Sequence, residues 1–373
     1  MHTKLAKQFG LEFPIFAFSH CRDVVAAVSK AGGMGVLGAL TFTPEQLEIE
    51  LDWIDDHVDG KPYGVDVVMP ASYAGAGELD AASGRESMTA VLDELIPQAH
   101  RQFVEDVLSR YGIPEAEGES SVGRLLSWTH EGARPLVDIA LAHPIKLIAN
   151  ALGPPPPDIV AQAHEHSVKV AALVGNVAQA QRQVQNGVDI IIASGYEAGG
   201  HTGEITSMIL TPDVVDAVAP VPVLAAGGIG DGRQVAAAIA LGAEGVWTGS
   251  IWLTTAESDV TPALLEKLLA AGPTDTVRSR ALSGKPARQL RTAWTDAWEA
   301  PDSPGTLPMP LQFMLVADAQ YRIGRSGNKE LVGMPVGQIV GRMNSVKPVR
   351  QVVFDLAEGF AAAVDRLDRI VGD

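Results

Sequence analysis

Residues 188–252 read VDIIIASGYEAGGHTGEITSMILTPDVVDAVAPVPVLAAGGIGDGRQVAAAIALGAEGVWTGSIW. Three apolar runs, Val188–Ala193, Val221–Ala225 and Gly245–Trp247, each end in a glycine-rich return. Helix-compatible stretches at Pro212–Val218 and Gly232–Leu241 separate them. Short β-branched runs alternating with helical lengths are the pattern of βα units on a parallel sheet. A glycine return that feeds a helix start lets backbone N–H groups approach an anion, and the helix dipole favours the charge.

The same alternation runs through the preceding sequence. Apolar runs occur at Phe13–Phe18, Met34–Gly38, Tyr63–Val67, Ile145–Ala149 and Val168–Val174, with helical lengths at Arg22–Ala31, Pro44–Asp56, Gly132–Ala142, Pro157–His166 and Val177–Asn186. Several of these open on proline, a first-turn residue. Eight strands and seven crossovers predict an α/β fold, a closed TIM (β/α)8 barrel. An open doubly wound sheet fits less well, because no GxGxxG follows the first strand.

The length of 373 residues allows two domains at about 150 residues each, or one expanded barrel. Two stretches fall outside the repeat. Residues 70–130 separate the third strand from its helix, with a small-residue piece, an amphipathic piece interrupted by Pro97, and an acidic turn. Residues 258–345 follow the last strand and are rich in Pro and Gly. The run Val349–Val371 carries Val352, Val353, Leu356, Phe360, Val364 and Leu367 at helical spacing and is expected to pack back on the barrel. The predicted organisation is a barrel over 1–257 with a helical insertion after strand 3 at about 70–130, a C-terminal cap over 258–345, and a returning helix over 346–373.

Composition narrows the function classes. With 28 Lys and Arg against 45 Asp and Glu the net charge is −17, which repels nucleic acid. One cysteine, Cys21, forms no internal disulfide, and no Cys/His cluster offers a metal site, so a reducing cytoplasm fits. No window reaches the ~18 apolar residues of a membrane helix. The sequence leaves a homo-oligomer open.

In a parallel barrel the loops after the strands form one face, where chemistry collects. Gly227-Gly228 and Gly249-Ser250 lie on adjacent strands there, and together they point to a phosphate-bearing ligand. The alternative is tight-turn glycines without a ligand. The sixth loop brings Glu197 and His201 to the same rim, and an imidazole is a natural general base at neutral pH. His20 and Cys21, just past the first strand, are a second imidazole or a packed histidine, and a rim thiol or a small buried hydrophobe. Trp294 and Trp298 form one helical stripe, either an apolar lid or core packing.

These residues together resemble the nitronate monooxygenase (2-nitropropane dioxygenase-like) family of FMN-dependent barrels, to which an enoyl-[acyl-carrier-protein] reductase II type is related. The matching runs are EAGGHTG at 197–203, AAGGIGDGR at 225–233 and GVWTGSIWLTTAES at 245–258, with AAVSKAGGMGVLGA upstream and GKPARQLRTAW in the cap. The resemblance implies that Gly199, Gly228, Thr248, Gly249 and Ser250 contact FMN, that Gly227 shapes the phosphate loop, and that Ser194 offers a polar group to the flavin. It implies His201 as the base that removes the α-proton of a nitroalkane or steers its nitronate. The sequence departs from the family at Asp66, where Asn is usual and a carboxylate disfavours the anionic reduced flavin. It departs also at Phe18-Ser19-His20 beside the flavin ring, and at Trp252.

The implied activity is oxidation of alkyl nitronates with O2 to a carbonyl product and nitrite. An FMN-dependent NAD(P)H:quinone or enoyl-thioester reductase stays open, with NAD(P)H as co-substrate. A flavin-holding or non-catalytic regulatory barrel whose insertion recruits a partner is a third reading, which an exposed apolar face on Val91–Tyr111 would favour and core packing of that helix would not.

Overall fold

The computed structural model describes residues 1–69, 91, 94–115 and 130–372. Strands β1 (Ile15–Ser19), β2 (Met34–Gly38), β3 (Tyr63–Asp66), β4 (Leu147–Asn150), β5 (Lys169–Val174) and β6 (Ile190–Ser194) follow in order. After β7 (Gly200–His201), which leaves the barrel, come β8 (Val223–Ala226) and β9 (Gly245–Thr248). The eight barrel strands are parallel, and the pairs Ile15↔Val246, Phe16↔Trp247 and Ala17↔Thr248 close the ring. This is the (β/α)8 barrel.

Period-two alternation sorts the strand residues between two cores. Phe16, Met34, Val36, Leu147, Ile190, Ile192 and Leu224 fill the interior, while Ile191, Ala193, Val170 and Ala172 face the helices. The bottom is plugged by α1 (Lys4–Phe9), whose Leu5 and Ala6 join the interior cluster. Thr3 caps α1 and donates its hydroxyl to Glu244 O at 2.6 Å, pinning the plug to the residue before β9.

The outer layer comprises α2 (Arg22–Lys30), α3 (Pro44–His57), α4 (Gln98–Arg110), α5 (His130–Ala142), α6 (Pro157–Glu165), α7 (Val177–Gln185), α8 (Ser207–Val218) and α9 (Gly232–Ala240). The first-turn proline rule holds at α3, which adds a Thr43/Gln46 capping box, and at α6. It fails at α8, where Pro212 lies inside a helix that starts five residues earlier. The reason is a distant cap: Ser207 N donates to both Glu197 carboxylate oxygens, at 3.3 and 3.2 Å, and Ser207 Oγ donates to Oε1.

Beyond the barrel lie α10 (Pro262–Ala270), β10 (Thr276–Ser279), β11 (Ala287–Leu290), α11 (Ala293–Glu299), α12 (Leu311–Ser326) and α13 (Val349–Gly372). Strands β10, β11 and β7 make a three-stranded antiparallel sheet with Ala287 opposite His201 and Arg288 opposite Gly200. Arg288 is buried, donates from Nε and Nη2 to Tyr196 O at 3.2 and 3.1 Å, and lies 4.6 Å over the Tyr196 ring. The cap is thereby clamped to the sixth loop.

Pro97 is the N-cap of α4, and α4 buries Val104, Val107 and Leu108. Phe103 meets Trp298 edge-on at 4.8 Å, and Trp298 meets Trp294 at 6.0 Å, so the tryptophan stripe is core packing and not a lid. Arg322 on α12 holds Glu105 at 2.9 Å and donates to Pro114 O at 2.8 Å. The apolar face of this helix is therefore covered by the cap. Residues 70–90, 92–93 and 116–129 of the expected insertion lie outside the described residues. No helix among the described residues is long and apolar enough to cross a membrane.

Helix α13 buries Val349, Val353 and Leu356, but Val364 and Leu367 are 44% and 49% exposed. The expectation that the whole run packs back on the barrel is corrected: only its first half does. That half crosses α9, to which it makes a close backbone contact at Gly232 and Gly359.

Candidate active site

A cavity of about 940 Å³ opens at the C-terminal ends of the strands, and Asp66, Ser194, Gly199, His201, Gly227, Gly228, Thr248, Gly249 and Ser250 all line it. The fold thus brings together every residue that the resemblance assigns to the site, whereas Glu197, expected at the same rim, lines a different hollow. A second hollow of about 790 Å³ lies on the outer side of Gly227-Gly228, between α8 and α9, and carries neither histidine.

The glycine returns suit an anion. Gly228 has φ +69°, a left-handed conformation that a side chain would strain. Among the described residues the backbone N–H groups of Gly228, Gly249 and Ser250 donate to no protein acceptor. A Cβ on Gly249 would make only ordinary van der Waals contact, with Phe18 Cδ1 at 3.8 Å, so this turn is not crowded by the protein. Unengaged donors at the ends of two neighbouring strands, with Gly228 feeding α9, meet the needs of a phosphate without a basic side chain. Phe18, Leu173, Val174 and Leu253 add apolar wall, as a flavin ring requires.

The hydroxyls nearby are already employed. Thr248 is buried, donates to Phe16 O at 3.2 Å and accepts from Trp252 Nε1 at 3.1 Å. Ser250 Oγ accepts from Gly337 N at 2.9 Å. These side chains shape the rim, which leaves backbone groups as the free donors.

The sixth loop is held from the cap side. A Cβ on Gly199 would lie 2.8 Å from Gly337 N and from Val336 C, so Gly199 lets the cap chain cross the loop. Gln338 N donates to Glu197 O at 3.0 Å. The Glu197 side chain turns to the start of α8, as above, and is a helix cap. His201, in contrast, reaches Ser283 Oγ with Nε2 at 2.6 Å. Burial, aided by the charge of Lys285, lowers the His201 pKa to about 4, so the imidazole is neutral at physiological pH and able to accept a proton. Sequence pattern does not mark Ser283, which precedes the run GKPARQLRTAW, whereas Lys285 lies in that run and lines the same cavity.

Asp66 is 6% exposed and burial pushes its carboxyl up to about 7. The expected extra negative charge is therefore partly quenched, and the protonated form is a hydrogen-bond donor. His20 also lines the cavity; its Nδ1–H donates to Gly38 O at 2.9 Å and its ring meets Phe18 edge-on at 5.1 Å. The residue stays open to the cavity, but desolvation by the cavity walls lowers its pKa below the ordinary histidine value, so it is a second neutral imidazole at the rim. Cys21 is buried, donates to Glu257 O at 3.2 Å, and burial pushes its thiol up; it is a small core residue.

The family model described as nitronate monooxygenase matches residues 3–359. The chain belongs to the nitronate monooxygenase family. It is 56% identical, over the full length of both, to a Mycobacterium tuberculosis protein whose name gives a monooxygenase without a substrate. It is 29% identical to a Staphylococcus aureus protein bearing the name nitronate monooxygenase, covering 95% of this chain and 96% of the relative. Among solved structures it resembles FabK from Thermotoga maritima, with 27% identity, TM-score 0.74 and 99% of each chain covered. A nitroalkane oxidase from Streptomyces ansochromogenes superposes with TM-score 0.79 at 24% identity, covering 97% of this chain and 99% of that one, and shares the fold. The protein is a flavin-dependent oxidoreductase of the nitronate monooxygenase type.

Proposed function

We propose that the cavity holds FMN and oxidises alkyl nitronates, or nitroalkanes after deprotonation, with O2 to a carbonyl product and nitrite. The observation that carries this reading is the meeting, in one cavity, of two glycine returns with unengaged amides and a neutral, half-buried imidazole. The amides of Gly228, Gly249 and Ser250 would hold the phosphate, with Gly227 shaping the turn. Gly199 of the sixth loop, with Ser194 and Asp66 at strand ends, would contact the flavin, and the Thr248 hydroxyl holds its strand end against Phe16.

When bound, FMN supplies the electron transfer and the oxygen chemistry. The chain supplies the rest. His201 accepts the α-proton of a neutral nitroalkane, and its bond to Ser283 Oγ fixes the ring. The cap sheet and the sixth loop form one wall of the cavity beside His201.

A reductase of quinones or enoyl thioesters fed by NAD(P)H is the second reading, favoured by the likeness to FabK at 27% identity. An anaerobic screen of the flavin-loaded protein separates the two. Bleaching of the flavin absorbance by ethylnitronate or propionate 3-nitronate, but not by NADH or NADPH, is expected. Bleaching by a pyridine nucleotide alone would replace the first reading with the second.

A further inference from the structure

Lys285 stands in the turn between β10 and β11, two residues before Ala287, which pairs with His201. Ser283, two residues the other way, is the group that holds His201 Nε2. Lys285 lines the cavity and is partly buried, and among the described residues its ammonium has no carboxylate within 4 Å and no hydrogen-bond acceptor. The neighbouring acid Glu204 faces Arg278 at 3.6 Å and is 84% exposed. A half-desolvated cation without a counter-charge is costly unless a ligand brings an anion to it.

Two anions compete for it. The phosphate of the cofactor is served by backbone amides at the ends of β8 and β9, whereas Lys285 rides on the cap sheet beside the base. We propose that Lys285 is the specificity residue by which the cavity selects an ionised nitronate over its neutral nitroalkane. Its three N–H donors would meet the nitronate oxygens, while His201 stays free of that charge. This inference rests on the nitronate reading above. Burial lowers the Lys285 pKa, and the ammonium charge in turn lowers that of His201, which keeps the imidazole neutral beside an anionic substrate.

The test uses holoenzyme with Lys285→Met and Lys285→Arg. The ratio of kcat/KM for ethylnitronate to that for nitroethane is expected to fall at least about tenfold in Lys285→Met, through KM for the nitronate, and to recover in Lys285→Arg. Inorganic nitrate, titrated into oxidised holoenzyme and read by flavin absorbance, should bind about tenfold more weakly to Lys285→Met, with FMN affinity changed less than about threefold. An unchanged ratio overturns the assignment, as does a large loss of FMN affinity with the ratio intact, which would give Lys285 to the cofactor. Should wild-type enzyme turn over neither substrate, the nitronate reading fails. The nitrate titration still decides Lys285: Lys-dependent binding keeps the anion site, and Lys-independent binding removes it.

Discussion

Gly232 and Gly359 bring two helices into backbone contact: a Cβ on Gly232 would lie 2.2 Å from Phe360 N and 2.3 Å from Leu356 O. Gly232 opens the helix that follows the Gly227-Gly228 return, so α13 packs from outside the barrel against the helix that carries the proposed phosphate loop. Gly232→Ala must push the helices apart and is expected to cost about 1–3 kcal/mol. It should also weaken FMN binding. Gly359→Ala, whose Cβ would meet Gly232 Cα at 3.1 Å, should do less. Thermal melts and flavin fluorescence titration check both, and equal effects of the two changes would contradict the account.

His201→Asn should keep FMN binding and lower kcat/KM for a neutral nitroalkane by about 10²–10⁴, the usual range for a lost general base. A preformed nitronate needs no deprotonation and should lose much less. Steady-state oxygen uptake on the two forms of one substrate checks this; matching losses would remove His201 from the base role.

The contact with His201 Nε2 makes Ser283 the proposed positioning residue for that ring. Ser283→Ala deletes the 2.6 Å bond to His201 and should lower kcat/KM for nitroalkane about tenfold. Ser283→Thr, which keeps a hydroxyl, should recover part of that loss. FMN affinity should be unmoved in both, and a drop in it would mark the change as structural only.

Asp66 gives the apoprotein a pH signature. Its folded pKa of about 7 stands above the ordinary aspartate value, so between roughly pH 4 and 7 the folded chain holds a proton that the unfolded chain has released. Stability then falls as pH rises through that window. Asp66→Asn removes this loss, and its melting temperature should exceed that of wild type at pH 8 and approach it at pH 4. A constant difference across the range would show that Asp66 is not the titrating group.

Glu197 tests the distant cap. Glu197→Ala leaves the Ser207 amide without its acceptor and should cost about 1–2 kcal/mol, the range for a lost N-cap. Glu197→Gln, which keeps an oxygen, should cost less by melting temperature.

Much of this architecture was readable from local pattern. The run Met34–Gly38 is a strand with those same bounds, and the other seven runs match strands within about two residues at each end. The glycine returns and His201 were legible because glycine clusters at strand ends constrain the backbone locally. What failed depends on distant partners. Strand β7 is two residues long, has no periodicity, and exists because β11 pairs with it. The start of α8 was misread because its cap comes from Glu197, ten residues upstream. Ser283 meets His201 across 82 residues of chain, a proximity that no local pattern encodes.

The placement of His201 on β7 means that the proposed base and the proposed cofactor cradle belong to different sheets. The cradle would rest on β8 and β9, whereas His201 sits in the sheet with β10 and β11, beside Ser283 and Lys285. Grafting residues 276–290 together with the sixth loop from a relative is therefore expected to transplant the acid–base environment and the charge seen by the substrate, while the cofactor stays on its inherited mount.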